Sequence, residues 1–244
     1  MNPTRVYFVR HGESLFNVLS ITSGWSDSPL SARGEEQCRI AGLELRDVPF
    51  DAVLTSDLGR VRQTTRLLLE ANATTVRPVE LPQLREQFYG GFEGTPNLDT
   101  FAAIFRHLGL AVPAAGFTSL GDLRTVMREA HENLPAGALV DATAAADPLG
   151  LAEDWARYQG RVERAVAAVS EAATASRGGN VLVVAHGAVL SAILAHLDPN
   201  GYDQRHLGNA SISIAEYDGG RYTLTQLGEE AQFELRRPAT AVVG

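Results

Sequence analysis

Two histidines and an arginine stand where apolar runs of this chain stop, and those are the positions from which chemistry can be done. The run ending in Tyr7-Phe8-Val9 breaks abruptly into Arg10-His11-Gly12-Glu13. Arg10 sets a permanent cation beside an imidazole, and Gly12 lets the backbone turn and come close to a bound group. A histidine so placed can bind an anion or attack it. A second apolar run, Val181–Ala185 (VLVVA), ends in His186-Gly187, so a second histidine is delivered in the same way. Between them Ala52–Ser56 (AVLTS) leads through Asp57-Leu58-Gly59 to Arg60, on the first turn of the helix that follows, where anions are favoured. Glu86, in Leu84-Arg85-Glu86-Gln87-Phe88-Tyr89-Gly90, is a carboxylate in a loop-like stretch between a weak strand and a glycine-rich turn.

The elements that must position these residues follow from the pattern. The three apolar runs read as buried strands of a parallel sheet, in which ligands bind beyond the carboxyl ends. Ser31 is a plausible N-cap for a helix running to about Arg46, and a further helix spans about Asp57 to Glu70. Leu151–Ala175 reads as one long amphipathic helix and Ala188–Leu197 as the next, with His196 at its end favoured by the dipole. Ser211–Tyr217 and Arg221–Leu227, joined by Asp218-Gly219-Gly220, form a hairpin at a sheet edge. The expected fold is α/β, a mostly parallel central sheet with helices on both faces.

Residues 95–150 break this rhythm. Leu98–Leu108 and Leu120–Leu134 have helical spacing, and Ala136–Pro148 is a small-residue stretch. The expectation is one domain over 1–235, with 95–150 inserted as a helical cap over the active-site face and 236–244 a disordered tail. Arg106, His107, Arg124, Arg128 and His131 fall in the insertion and read as exposed helix residues.

The motifs together carry a resemblance. RHGE at Arg10–Glu13, Asn17, the LSxxG of Leu30–Gly34, TSDLGR at Thr55–Arg60, LREQFYGGFEG at Leu84–Gly94 and AHG at Ala185–Gly187 resemble, in order and spacing, the histidine phosphatase or phosphoglycerate mutase-like superfamily. The resemblance implies His11 as nucleophile, Arg10, Arg60 and His186 as phosphate ligands, Glu86 as proton donor and Asn17 as a further phosphate contact. Gly12, Gly187 and Tyr89 are expected to line the substrate. It also places the family arginine at Arg60, leaving Arg62 to face away or brace the site.

Those residue types suit a phosphomonoester. Its dianion repels nucleophiles until its oxygens are neutralised, and Arg10, Arg60 and a protonated His186 would supply three positive groups. His11, with one ring nitrogen fixed by a backbone carbonyl, would attack phosphorus, and Glu86 would serve as acid and then base. No metal or other cofactor is expected, because the arginines neutralise the charge. The first reading is a histidine acid phosphatase-type hydrolase acting on a small phosphorylated substrate. A 2,3-bisphosphoglycerate-dependent phosphoglycerate mutase is the alternative, to which the loop Ser23-Gly24-Trp25 with Asp27 is similar, although Gln87 stands where mutases carry an arginine. A catalytically silent phospho-ligand-binding protein is a third reading, opposed by intact His11 and Glu86. Glu93 is the rival carboxylate and reads as a contact closing the glycine-rich turn, while Asn209 could reach the site through its loop.

Composition sets the outer bounds. The 244 residues carry a formal charge of −8, which argues against nucleic-acid or anionic-membrane partners. All 21 basic residues are arginine, so Walker phosphate-loop and Schiff-base chemistry are excluded. Cys38 is the only cysteine; it forms no intrachain disulfide and lacks the arginine that a cysteine phosphatase loop needs, Glu44 standing there instead. With no secretory pattern and no apolar run of about eighteen residues, a cytoplasmic protein is expected. A homodimer is compatible with the sequence.

Overall fold

The computed structural model describes residues 2–72, 74–113, 116, 119, 126, 130, 133–203 and 205–230. Its centre is a six-stranded sheet of β1 (Thr4–Arg10), β2 (Ala52–Thr55), β3 (Val79–Glu80), β4 (Asn180–Ala185), β5 (Ile212–Asp218) and β6 (Arg221–Glu229), in the order β3-β2-β4-β1-β5-β6. β1–β4, β2–β4 and β2–β3 pair in parallel, whereas β5 and β6 form an antiparallel hairpin joined through β5 to β1. The expected α/β architecture is thus present, with β6 of the hairpin at the edge.

Strand periodicity divides the core. Val6, Phe8, Val181, Val183 and Ala185 point to one face, where they meet Val162, Ala165 and Val169 of α6 (Trp155–Ala175) and Val189, Leu190 and Ile193 of α7 (Gly187–Leu197). Tyr7, Val9, Leu182 and Val184 point to the other, against Ala41 of α2 (Ala32–Glu44) and Val61 and Leu68 of α3 (Gly59–Asn72). Central strands buried on both faces need the continuous apolar runs seen in the sequence, and each such side chain contributes about 1.5–3 kcal/mol. Ser31 caps α2 by accepting from the Gly34 amide at 3.0 Å.

The short α1 (Leu15–Val18) follows β1, and α4 (Asn97–His107) and α5 (Ala138–Ala146) lie within the 95–150 segment. Ala102, Ile104, Phe105, Ala130 and Ala142 form a cluster of their own there. The segment's neck is tied at several points. Thr22 exchanges backbone bonds with Gly94 and Thr95 at 2.9 and 2.8 Å, the Asp147 carboxylate accepts from the Gly91 amide at 2.8 Å, and Glu153 accepts from Phe88 at 3.0 Å.

Two stretches differ from expectation. α5 occupies the stretch read only as small residues, since alanine has the highest helix propensity. The long helix begins at Trp155, capped by Asp154, not at Leu151: the Asp147 carboxylate gathers the amides of Leu149, Leu151 and Ala152 and holds that stretch as a loop. Most of the expected helix 120–134, with Arg124, Arg128 and His131, and the expected tail 236–244 lie outside the described residues. No described helix is long and apolar enough to cross a membrane.

Candidate active site

Parallel registry brings the two histidines level. Arg10 pairs with Ala185, so the next residue of each strand leaves the sheet side by side, and the His11 amide donates to Ala185 O at 2.9 Å. Their rings pack edge to face with centroids 5.2 Å apart. β2 ends beside them, the Ser56 amide donating to Val184 O at 3.0 Å. Three adjacent parallel strands therefore deliver Arg10-His11, Ser56 and His186 to one edge, and α3 starts there with Arg60.

The hydrogen bonds decide the tautomers. His11 Nδ1 lies 2.8 Å from Gly12 O, which only accepts, so Nδ1 carries the proton and Nε2 keeps its lone pair. Burial first, then Arg60 and Arg10, pushes the imidazole well below its ordinary 6.5, and the ring is neutral at physiological pH. His186 Nδ1 lies 2.9 Å from Arg60 Nη2, which only donates. The proton of His186 is therefore on Nε2, 2.9 Å from Ser56 Oγ. Burial, Arg60, His11 and Arg10 in that order depress His186 well below 6.5 as well. Without a bound anion the ring is neutral, burial chiefly and then the cation that fixes its orientation disfavouring a second proton.

The arginines are held differently. Arg60 is 1% exposed, and its fork donates to Gly24 O at 2.8 Å, Ser26 O and Asp27 Oδ1 at 2.9 Å each, besides His186. Arg10 donates through Nη1 to Leu207 O at 2.5 Å and lies 3.2 Å from His206 Nε2, while its buried Nε is without a partner. Burial lowers its pKa from the ordinary arginine value, opposed by the Glu86 charge and assisted by Arg60. Gly187 leaves room for this guanidinium, since a Cβ there would stand 3.3 Å from Arg10 Nε.

Glu86 sits on the start of α7. Its carboxylate accepts from the amides of Ala188 and Val189 at 3.0 Å each, and from Gln87 at 3.1 Å, so the helix dipole and three N–H groups fix it. Asn17 closes a capping box with Ser14, and its Oδ1 also accepts from Asn209 Nδ2 at 3.2 Å. Asn209 in turn donates to His11 O at 3.1 Å, so its loop does reach the site. Tyr89 is half-buried; burial, then the Glu86 and Glu93 charges, push its hydroxyl far up.

Gly12 is needed bare for packing. A Cβ there would strike Gly34 O at 2.5 Å and Cys38 Sγ at 2.6 Å, so its bare Cα serves packing on α2. Its N–H goes to Thr64 Oγ1 at 3.1 Å and its C=O to His11, which makes it a support of the imidazole. Arg62 faces away, more than half exposed and paired with Glu80. It lines a groove of about 470 Å³ with Thr65, Arg66 and Glu70 whose walls include none of His11, Arg60, Glu86 or His186. Trp25 closes its loop onto the Glu86 segment, its Nε1 donating to Glu86 O at 2.9 Å and its ring stacking on Phe88 at 4.8 Å.

Sequence reasoning missed several supports. Buried Arg161 of α6 pairs with Glu153 and donates to Gln83 O, Arg85 O and Glu86 O at 3.1, 2.5 and 3.0 Å. An arginine on the apolar face of an amphipathic helix was the signal. His206 gave none, since it lies in a loop without periodicity.

The sequence model of the histidine phosphatase superfamily (branch 1) matches residues 6–109 and 118–230. The chain belongs to that superfamily. Among its members, the adenosylcobalamin/alpha-ribazole phosphatase of Escherichia coli is 33% identical over 193 residues, 79% of this chain and 78% of that protein. A 2,3-bisphosphoglycerate-dependent phosphoglycerate mutase of Cytophaga hutchinsonii is 29% identical over 192 residues, 78% of this chain and 75% of the relative. A crystal structure of phosphoglycerate mutase from Bacillus anthracis superposes with a TM-score of 0.81 at 30% identity, covering 94% of both chains. The superfamily is one of phosphatases and phosphotransferases, and the convergence of His11, His186, Arg10, Arg60 and Glu86 fits that chemistry.

Proposed function

We propose that this histidine phosphatase superfamily member is a metal-independent phosphomonoesterase that acts on a small phosphorylated metabolite through a phosphohistidine. The observation that carries this is the state of His11: neutral, with Nδ1 held by Gly12 O, beside two arginines at a sheet edge. An imidazole so fixed presents its Nε2 lone pair as a nucleophile. Attack on phosphorus forms the Nε2–P bond as the ester P–O bond breaks, Glu86 protonating the leaving oxygen. Water then attacks phosphorus, Glu86 takes its proton, and phosphate leaves with His11 restored.

The partnerless Arg10 Nε is a buried donor suited to a phosphoryl oxygen, and Arg60 neutralises charge from beneath His186. His186 and Asn17 complete the phosphate cradle in this reading. A dianion beside His186 favours a second proton on Nδ1 in place of the Arg60 Nη2 contact, so the third positive group arises on binding. The 95–150 segment, with a hydrophobic cluster of its own, acts as the cap that selects the rest of the substrate. Cytoplasmic residence suits such a substrate.

The mutase reading has its own support in the mutase relatives and in the 0.81 superposition. Against it stands Gln87, buried and neutral beside Glu86, with Nε2 lacking a partner. A mutase must hold a substrate carboxylate, and a cation is the group for that. The deciding experiment measures phosphate release from sugar, glycerate and nucleotide monophosphates with EDTA present, beside a mutase assay primed with 2,3-bisphosphoglycerate. Release with an acid-labile phosphoenzyme on the wild type, absent from His11→Ala, is expected. Isomerised phosphoglycerate without net release would replace the phosphatase by the mutase, and phosphate binding without turnover would leave a silent binder.

A further inference from the structure

The Glu93 carboxylate accepts the amides of three consecutive residues, Gly24, Trp25 and Ser26, at 3.0, 2.8 and 3.0 Å. The Ser26 hydroxyl and the Tyr89 amide add bonds at 2.5 and 3.1 Å. A chain that aims successive N–H groups at one anion must aim the carbonyls of the same peptide units the other way. Two of those carbonyls, of Ser23 and Gly24, face Arg60. The Trp25 N–H and the Gly24 C=O belong to one peptide plane, with Glu93 on its N–H side and Arg60 Nη2 at 2.8 Å on its C=O side. The preceding plane repeats this, the Gly24 N–H meeting Glu93 and the Ser23 C=O lying 3.5 Å from Arg60 Nη2. Gly24 is obligatory here, as a Cβ would meet Gln87 O at 1.9 Å and Glu93 Oε1 at 2.5 Å.

Resting on the phosphoryl-transfer reading of the site, we propose that Glu93 is a positioning residue for Arg60, acting through the two peptide planes of Ser23–Trp25. An anion at the positive end of each dipole and a cation at the negative end polarise the planes in the same sense. Arg60 is locked there, and its Nη2 in turn fixes the acceptor nitrogen of His186. Glu93 touches no reacting atom. It sets the direction of the arginine that does.

The test is a double-mutant cycle read by two measurements: inorganic phosphate affinity by calorimetry, and single-turnover kcat/KM on p-nitrophenyl phosphate. Glu93→Gln keeps shape but turns an NH₂ group toward amide donors. It should weaken both by about 10- to 100-fold, the usual cost of losing a group that orients a ligating side chain. In an Arg60→Ala background the same change should alter either by less than about twofold, because the residue through which it acts is gone. Full multiplication of the two losses, or Glu93→Gln within about twofold of wild type, would overturn the proposal. If Glu93→Gln fails to fold, Ser26→Ala removes one of the carboxylate's bonds alone. Its smaller loss should likewise vanish without Arg60, and persistence of that loss sinks the idea. A wild type that binds phosphate with these dependences yet hydrolyses no ester would end the proposed reaction and leave the positioning role standing. No phosphate binding by the wild type would end both.

Discussion

Arg161 and Glu153 meet as a two-pronged pair, at 2.8 and 2.6 Å, beneath the turn that carries Glu86. Both side chains are about nine-tenths buried. Removing one partner leaves the other charge buried alone, so Arg161→Ala should cost about 3–5 kcal/mol in urea denaturation. Replacing both by apolar residues, Arg161→Met with Glu153→Leu, should recover much of that stability. It should not recover kcat/KM, because the carbonyls of Gln83, Arg85 and Glu86 would still lack their donor. Recovery of activity together with stability would show that the pair does not position Glu86.

The neighbouring arginines of α3 should separate cleanly. Arg60 is buried against His186, whereas Arg62 is exposed beside Glu80. Arg60→Ala should lower kcat/KM by about 10²–10³ or more, as loss of a transition-state donor does. Arg62→Ala should change it by about tenfold at most and leave stability close to that of the wild type, as exposed pairs usually do. The reverse order in steady-state kinetics would reassign the phosphate ligand.

Glu86 can be isolated through the leaving group. An alkyl phosphate expels a basic alkoxide and needs a proton as the bond breaks, while p-nitrophenolate barely does. Glu86→Gln should therefore lose about 10²–10⁴ in kcat/KM on a sugar phosphate and much less on p-nitrophenyl phosphate. Glu93→Gln should show no such dependence, its carboxylate being occupied by amides of the Gly24–Ser26 loop. Equal losses on both substrates for Glu86→Gln would remove it as the proton donor.

The histidines predict a pH dependence whose sign is fixed. Both rings titrate well below 6.5 in the folded chain, so below 6.5 the unfolded chain binds more protons. Their contribution to stability is complete above that value and is lost as pH falls from 6.5 toward the folded values. The urea midpoint should decline over that range, and less steeply in His186→Asn. A phosphate dianion raises the proton affinity of the same rings, so its binding should take up protons. Calorimetry in buffers of different ionisation enthalpy, at a pH where the ligand is already dianionic, checks this. No uptake would mean that His186 stays neutral in the complex.

Legibility in the sequence followed the range of the forces. β1, β2 and β4 were readable because strands buried on both faces demand unbroken apolar runs, and His11, His186 and Arg60 were readable because they stand where those runs stop. Their supports were not. Arg161 meets the Glu86 turn across 75 positions of sequence and Glu93 meets Gly24 across 69, and although an arginine on an apolar helix face signals burial, no local pattern names its partner. The tautomer of His186 was hidden for the same reason, since it depends on which ring nitrogen Arg60 faces.

The tied neck at Thr22–Gly94, Gly91–Asp147 and Phe88–Glu153 bears on how such a chain can diversify. A loop whose ends are already fixed is cheap to rebuild: doubling the length of a flexible one costs only about 0.6 kcal/mol in closure entropy. Heritable insertions, deletions or exchange of the material beyond the neck therefore put little load on the sheet edge that holds His11 and His186. Under the proposed function, descendants can trade one recognition surface for another while inheriting the same reaction, and an engineer can graft there for the same reason.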